Sequence, residues 1–287
     1  MKSIDIKKVI DRVEAFPTLP TIYTSLLEVT SNPHSTVQDI ANVVMQDQAA
    51  VIKTLKLVNS PIYGIATRVT TISKSIMFLG VNEIKNIVLA LSIIDLFSHS
   101  NENINKYMLE VWKHSIAVGV ITLILGEILK IGNLEDYFIA GLTHDIGKLF
   151  FMTYYVEEYS YLISKVYEEN LDLHTVEKET FGLNHDDIGE LLSKKRKLPD
   201  LMQHSIKFHH KGGMGNNSDK LVACVHLANT IAKCMHLGKS FENEIVQPDY
   251  EIWNILNFPV DTSIHLLRDK ILAVYQKSIS ILILNKE

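Results

Sequence analysis

Apolar residues recur at steps of three and four along almost the whole chain, and the strict alternation of a half-buried strand is rare. The run Ile84, Ile87, Val88, Leu91, Ile94 shows the pattern plainly. Such a stripe gives each helix one face to bury, so a chain built this way is expected to be all-α. Apolar residues at 47% supply a core and charged residues at 21% supply a surface, which excludes wholesale disorder. A length of 287 residues allows one large domain or two modest ones.

Local signals divide the pattern into helices. Phe16-Pro17-Thr18-Leu19-Pro20 ends a first amphipathic helix over Met1–Ala15, because each proline removes a backbone donor and restricts the residue before it. A second helix runs over Thr21–Thr30. Ser35 with Gln38 reads as a capping box for the helix that follows. Asp47 caps the next helix, and Gly80 offers a left-handed stop after Leu79. Further helices are expected near Asn82–Phe97, Lys106–Ile131, Leu134–Phe151, Val156–Asn170, Leu173–Phe181, Asp186–Lys194, Pro199–Phe208, Asp219–Leu237, Asp249–Asn257 and Ile264–Leu284. The polar stretch Phe97–Asn105 lacks an apolar stripe and marks a boundary between residues 1–100 and 101–287. Gly212–Asn217 reads as a loop.

With 28 Lys+Arg against 33 Asp+Glu, the net charge of −5 disfavours coating of nucleic acid by bulk charge. Asn82–Phe97 carries Lys85 as its one positive charge, so a DNA-reading helix is not expected there. Cys224 and Cys234 fall on one helix, about 15 Å apart by helical rise, too far for a disulfide. Two free thiols fit a reducing cytoplasm. The N-terminus shows no signal-peptide core, and the apolar run Ile116–Gly126 is about half the length of a membrane span, so no membrane insertion is expected.

Chemistry concentrates in the histidines. His114 lies on one long helix, His144-Asp145 within GLTHDIGKL, His185 within FGLNHDDIG, and His209-His210 at the end of IKFHH. Imidazole and carboxylate are the ligands of borderline divalent ions such as Fe, Mn, Zn or Ni, and facing helices of a bundle bring such ligands together in a core. The same residues have plainer uses. His144 and Asp145 can hydrogen-bond each other, His185 can cap the helix that starts at Asp186, and His209 and His210 suit a helix C-terminus.

GLTHDIGKL resembles the central motif of the HD phosphohydrolase superfamily, and the histidine order is similar to the HD-GYP proteins that hydrolyse cyclic dinucleotides. Phe16–Pro20, Gln46-Asp47-Gln48-Ala49, Leu57–Gly64, Ile72–Ile76 and Leu79-Gly80 resemble the HDOD domain, an all-helical, HD-related signalling module with no established enzymatic activity. The resemblance runs from about Phe16 to about His236. It implies an N-terminal helical bundle packed on a C-terminal HD-like bundle. It also implies a metal set of His114, His144, Asp145, His185, His209 and His210, with Lys148 catalytic if the chain is an enzyme.

Two departures weigh against catalysis. Asn229 stands where HD hydrolases carry a late aspartate, which leaves Asp145 as the one anionic ligand expected, and the Gly-Tyr-Pro signature after the paired histidines is replaced by Lys211-Gly212-Gly213. A neutral amide holds a catalytic divalent ion less tightly than a carboxylate. The leading reading is therefore a non-catalytic cytoplasmic regulator that contacts a signalling partner protein. The alternatives are a metal-dependent phosphohydrolase acting on a nucleotide or other phosphoester, and a sensor that binds metal or nucleotide without turnover.

Overall fold

A computed structural model describes residues 4–15, 21–60, 63–96, 102–130, 134–196, 198–211, 220–243, 245, 247–248, 250–258 and 264–282. Phe16–Pro20, Pro61 and the Gly212–Asn217 loop lie outside them. The fold is all-α, with sixteen helices and no strand among the described residues. In chain order the first eight are α1 (Ile6–Ala15), α2 (Thr21–Ser31), α3 (Val37–Met45), α4 (Gln48–Val58), α5 (Ile72–Leu79), α6 (Val81–Leu96), α7 (Glu102–Ile128) and α8 (Leu134–Thr143). The rest are α9 (Ile146–Tyr154), α10 (Val156–Glu169), α11 (Leu173–Phe181), α12 (His185–Lys195), α13 (Asp200–Phe208), α14 (Lys220–Cys234), α15 (Tyr250–Leu256) and α16 (Ile264–Leu282).

Backbone packing groups Met1–Pro17 with His99–Thr262 in one unit, and Thr18–Ser98 with Ser263–Glu287 in the other. The sequence expects 1–100 and 101–287 instead. The difference lies in the first and last helices, each of which packs with the unit that is remote from it in the chain.

The smaller unit comprises α2–α6 and α16. Its core includes Ile40, Val44, Leu57, Val58, Ile72 and Ile76, and the α6 stripe of Ile84, Ile87, Val88 and Leu91 is buried as its period requires. The capping box of α3 is formed one residue later than expected. Thr36 accepts from the Asp39 amide, and the Asp39 carboxylate accepts from Thr36 N–H. Asp47 caps α4 by accepting from the amides of Ala49 and Ala50, and Gly80 ends α5 at φ +85°. Asn59 closes a loop onto α4. Its Nδ2 donates to Leu55 O at 2.6 Å and Val69 O at 2.8 Å, and its Oδ1 accepts from Val69 N–H at 2.7 Å.

The larger unit is built on α7, which packs against α8 and α14. Residues Lys106–Ile128 are long and apolar enough to cross a bilayer, and 78% of their most apolar window is buried inside the protein. Helix α7 is thus the central core helix of this unit. Gly119 and Gly141 let α7 and α8 touch backbone to backbone: a Cβ on Gly141 would lie 2.7 Å from Gly119 Cα. Phe151 of α9 stacks on Phe181 at 4.4 Å and on Tyr159 at 5.3 Å between ring centroids, which fastens α10 and α11 to α9. Cys224 and Cys234 both lie on α14 and are free thiols.

Replacing Asn59 by alanine strands the Val69 amide and carbonyl at a buried position. Chemical denaturation should show a loss of about 1–3 kcal/mol.

Candidate metal centre

The sequence expects one helix over Leu134–Phe151, whereas α8 stops at Thr143 and α9 starts at Ile146. His144 and Asp145 fill the break, with Asp145 at φ −97°, ψ 20°. The Asp145 carboxylate does not cap α9. It turns inward, with Oδ2 3.0 Å from Lys148 Nζ and 3.2 Å from His144 Nε2. Four elements of the larger unit complete the surroundings: α7 brings His114, α12 His185, the end of α13 His209 and His210, and α14 Asn229. Helix α12 approaches closely because Gly147 has no side chain; a Cβ there would collide with the His185 carbonyl.

Three imidazoles are oriented by their outer nitrogens. His144 Nδ1–H donates to Gly141 O at 2.7 Å, and His209 Nδ1–H donates to Ile206 O at 2.8 Å. Carbonyl oxygens only accept, so Nδ1 carries the proton in each ring and Nε2 is the atom turned inward. His185 Nδ1–H donates to Glu177 Oε2 at 2.6 Å, and the same oxygen accepts His185 N–H at 2.8 Å. Glu177 is steadied by Tyr159, whose hydroxyl donates to Oε1 at 2.5 Å. A ring held through its outer nitrogen by a carbonyl or carboxylate is the usual support of a metal-ligating histidine.

The inner atoms converge. His209 Nε2 lies 3.4 Å and His185 Nε2 3.7 Å from Asp145 Oδ1. Asp186 Oδ1 lies 3.2 Å from His185 Nε2 and 3.7 Å from His209 Nε2 and His210 Nε2. His185 and His210 face each other Nε2 to Nε2 at 2.8 Å. Overlapping sets whose ligand atoms all lie within 4.8 Å of one another comprise His185, Asp186, His209 and His210; His114, His144 and Asp145; and Asp145, His185 and Glu242.

All six residues expected as ligands are thus brought together. Asn229 is buried, and its Oδ1 accepts the His114 Nε2–H at 2.9 Å. The expectation that Asp145 is the one carboxylate at this place needs correcting, because Asp186 and Glu242 face the same imidazoles. Sequence reasoning took His185 from the His185-Asp186 pair and passed over its neighbour. Glu177 was legible as an acid on the buried stripe of α11, among Leu173, Val176 and Phe181. His174, on α11, also donates to Asp186 Oδ2 at 2.8 Å. His185 does not cap α12; Asn184 does, in a capping box with Asp187.

Burial would raise the carboxyl of Asp145, but His144 and Lys148 outweigh it and hold the group well below the usual range. Asp186 is held low in the same way by His185 and His209. Burial pushes His114 down to about 3, helped by the charge of His144. Burial also opposes a charge on His185, yet Glu177 prevails and lifts it to about 9. Burial and His209 push His210 well below its ordinary value. Without an ion, His185 is therefore the donor and His210 the acceptor in the bond between them.

Whether an ion fits is decided by the leftover atoms. His144 Nε2, Asp145 Oδ1, Asp186 Oδ1, His209 Nε2 and His114 Nδ1 are buried with no hydrogen-bond partner among the described residues. Leaving such atoms unsatisfied costs about 1–3 kcal/mol each. A divalent cation would satisfy inward-facing imidazoles and carboxylates together. The residues present fit a metal.

The HDOD domain model matches residues 16–212 of this chain. The chain belongs to the HDOD family. A solved structure of an HDOD domain protein with unknown function from Geobacter sulfurreducens is similar at a TM-score of 0.80 and 23% identity, covering 97% of each chain. A Shewanella amazonensis protein assigned provisionally as a phosphohydrolase superposes at a TM-score of 0.70 and 21% identity, covering 95% of this chain and 97% of that one. An uncharacterized protein of Treponema pallidum is 26% identical over 201 residues, which are 70% of this chain and 38% of the relative. At these identities the solved structures speak for the fold. The chain spans well under half the length of the Treponema relative.

Gly147→Ala should force α12 away from α9 and carry His185 and Asp186 with it. Denaturation is expected to show a loss of about 1–3 kcal/mol, and the imidazole NMR resonances of His185 and His209 should shift.

Proposed function

We propose that this HDOD protein is a non-catalytic regulator whose HD-derived centre holds a divalent transition metal, Fe, Mn, Zn or Ni, without turning over phosphoesters. His144, Asp145, His185, Asp186 and His209 would hold the ion, with His114 and His210 beside them. Such an ion supplies Lewis acidity and, in hydrolases, an activated water. In this chain the residues that would use that chemistry are otherwise engaged. Lys148 carries the reading: its side chain is 0% exposed and its ammonium is ion-paired to both Asp145 and Glu242, so it has no free reach toward a phosphate. Burial disfavours its charge, but Asp145 and Glu242 prevail and raise its pKa. Asn229, in the position of the missing acid, is occupied by His114. Of the two cavities that border the centre, one of about 70 Å³ touches His209, His210, Asn229 and Glu242 and is too small for a nucleotide, while one of about 380 Å³ reaches Asp186 from the side of His174, Lys178 and Lys207.

On this reading the output is contact with a signalling partner protein in the cytoplasm, and ion occupancy sets the shape that the partner meets. The phosphohydrolase reading is supported by one observation, the extra carboxylates of Asp186 and Glu242. Sensing of a metal or nucleotide without turnover shares the site and differs in what the ligand is.

Protein purified without chelators should carry near-stoichiometric transition metal by elemental analysis, and Asp145→Ala should lose it. Neither should hydrolyse cyclic dinucleotides or a chromogenic phosphodiester, and steady turnover that vanishes in Asp145→Ala would establish the hydrolase instead. Glu177→Gln keeps the shape beside His185 while weakening its orientation, so chelator competition should show metal affinity about 10–100-fold lower.

A further inference from the structure

Glu242 lies on the segment that connects α14 to α15, and three observations make its position unusual. The first is its company. Oε1 pairs with Lys148 Nζ and Oε2 with Lys233 Nζ, while His210 Nε2 stands 3.6 Å and His185 Nε2 4.0 Å from Oε1. Two ammonium groups on one carboxylate that is only 8% exposed are the surroundings of a bound oxyanion.

The second is how the segment is held. Lys239 N–H donates to Glu110 O at 3.1 Å, and Asn243 Nδ2 donates to Val166 O at 2.6 Å. Phe241 is buried and meets Tyr107 edge-on at 5.5 Å between ring centroids. It sits at φ +62°, a region that a bulky side chain rarely adopts. Local strain of this kind persists only where the surroundings enforce it, and here it aims the next residue inward.

The third is the adjoining space. The cavity of about 70 Å³ lined by His209, His210, Asn229 and Lys233 ends on Glu242, so cutting the side chain back merges its volume with that cavity.

We infer that Glu242 is the resident anion of an oxyanion pocket: Lys148 and Lys233 form a receptor for a phosphate-class anion, and the chain fills it with its own carboxylate. The pocket is made of side chains alone and goes beyond the metal reading. A metal-ligand role for Glu242 is disfavoured because both its oxygens already face an ammonium.

Inorganic phosphate is the probe, titrated calorimetrically into the full chain, with chloride at matched ionic strength as control. Wild-type protein should show no saturable binding. Glu242→Ala should bind phosphate at least about tenfold tighter than wild type, and Lys233→Ala on that background should abolish the gain. The titrations are run on chelator-treated and on metal-supplemented protein, so a lack of metal and a lack of phosphate binding are read separately. A folded Glu242→Ala protein that gains no phosphate affinity overturns the inference. So does one that loses its metal without gaining phosphate, which would make Glu242 a ligand. If neither Glu242→Ala nor Glu242→Gln folds in chloride, both are refolded in phosphate. Recovery of the helical circular dichroism signal there supports the pocket, and failure in both salts overturns it.

Discussion

A carboxylate shut away from water at Asp145 is the constraint that organises the larger unit. Burying a charge costs several kcal/mol unless partners compensate, and here they come from every side. Lys148 stands at 3.0 Å, His144 at 3.2 Å, His209 at 3.4 Å and His185 at 3.7 Å. Those partners sit on different helices, so the helices must meet at one point. Gly147 allows the meeting, and the stacked rings of Phe151, Phe181 and Tyr159 support it from behind. Packing and electrostatics thus specify the same arrangement.

On the proposed reading, the same arrangement keeps an HD-type centre while the residues of its hydrolytic relatives serve other uses. Lys148 neutralises neighbours, Asn229 accepts a hydrogen bond from His114, and the carboxylate of Glu242 answers two lysines of the chain itself. What persists is a set of inward-facing imidazole and carboxylate atoms, most of them buried. Membership of the HDOD family accounts for the fold, and the local pairings account for the chemistry this fold retains.

Much of this was legible before any coordinates. The helical period gave the class, and the buried faces of α6 and α11 follow their stripes. Asp47 caps the helix it precedes. The histidines named from their motifs meet in space. What escaped had physical reasons. The break at His144-Asp145 carries no proline, and the apolar period runs through it, so only tertiary contacts reveal it. Ser35 and Thr36 are adjacent hydroxyls that both suit a cap, and the choice between them rests on Asp39. Asp186 looks like an ordinary surface acid until the buried face of α12 is known, whereas Glu177 falls in step with Leu173 and Phe181 and was there to be read. Glu242 lies in a connecting segment, where no periodicity indicates which way a side chain turns.

Helix α1 raises a question of timing. Its Val13 carbonyl accepts a hydrogen bond from Lys195 Nζ at 3.0 Å across 182 residues of chain, and Ile4 N–H donates to Thr180 O at 2.7 Å. A ribosome releases α1 first, yet the surface it covers on α11 and α12 is completed far later. Its amphipathic face must wait, exposed, while some 182 further residues are made, and docking it requires closure of a very long loop, which is slow. A fragment begun at residue 99 would be born with that surface bare.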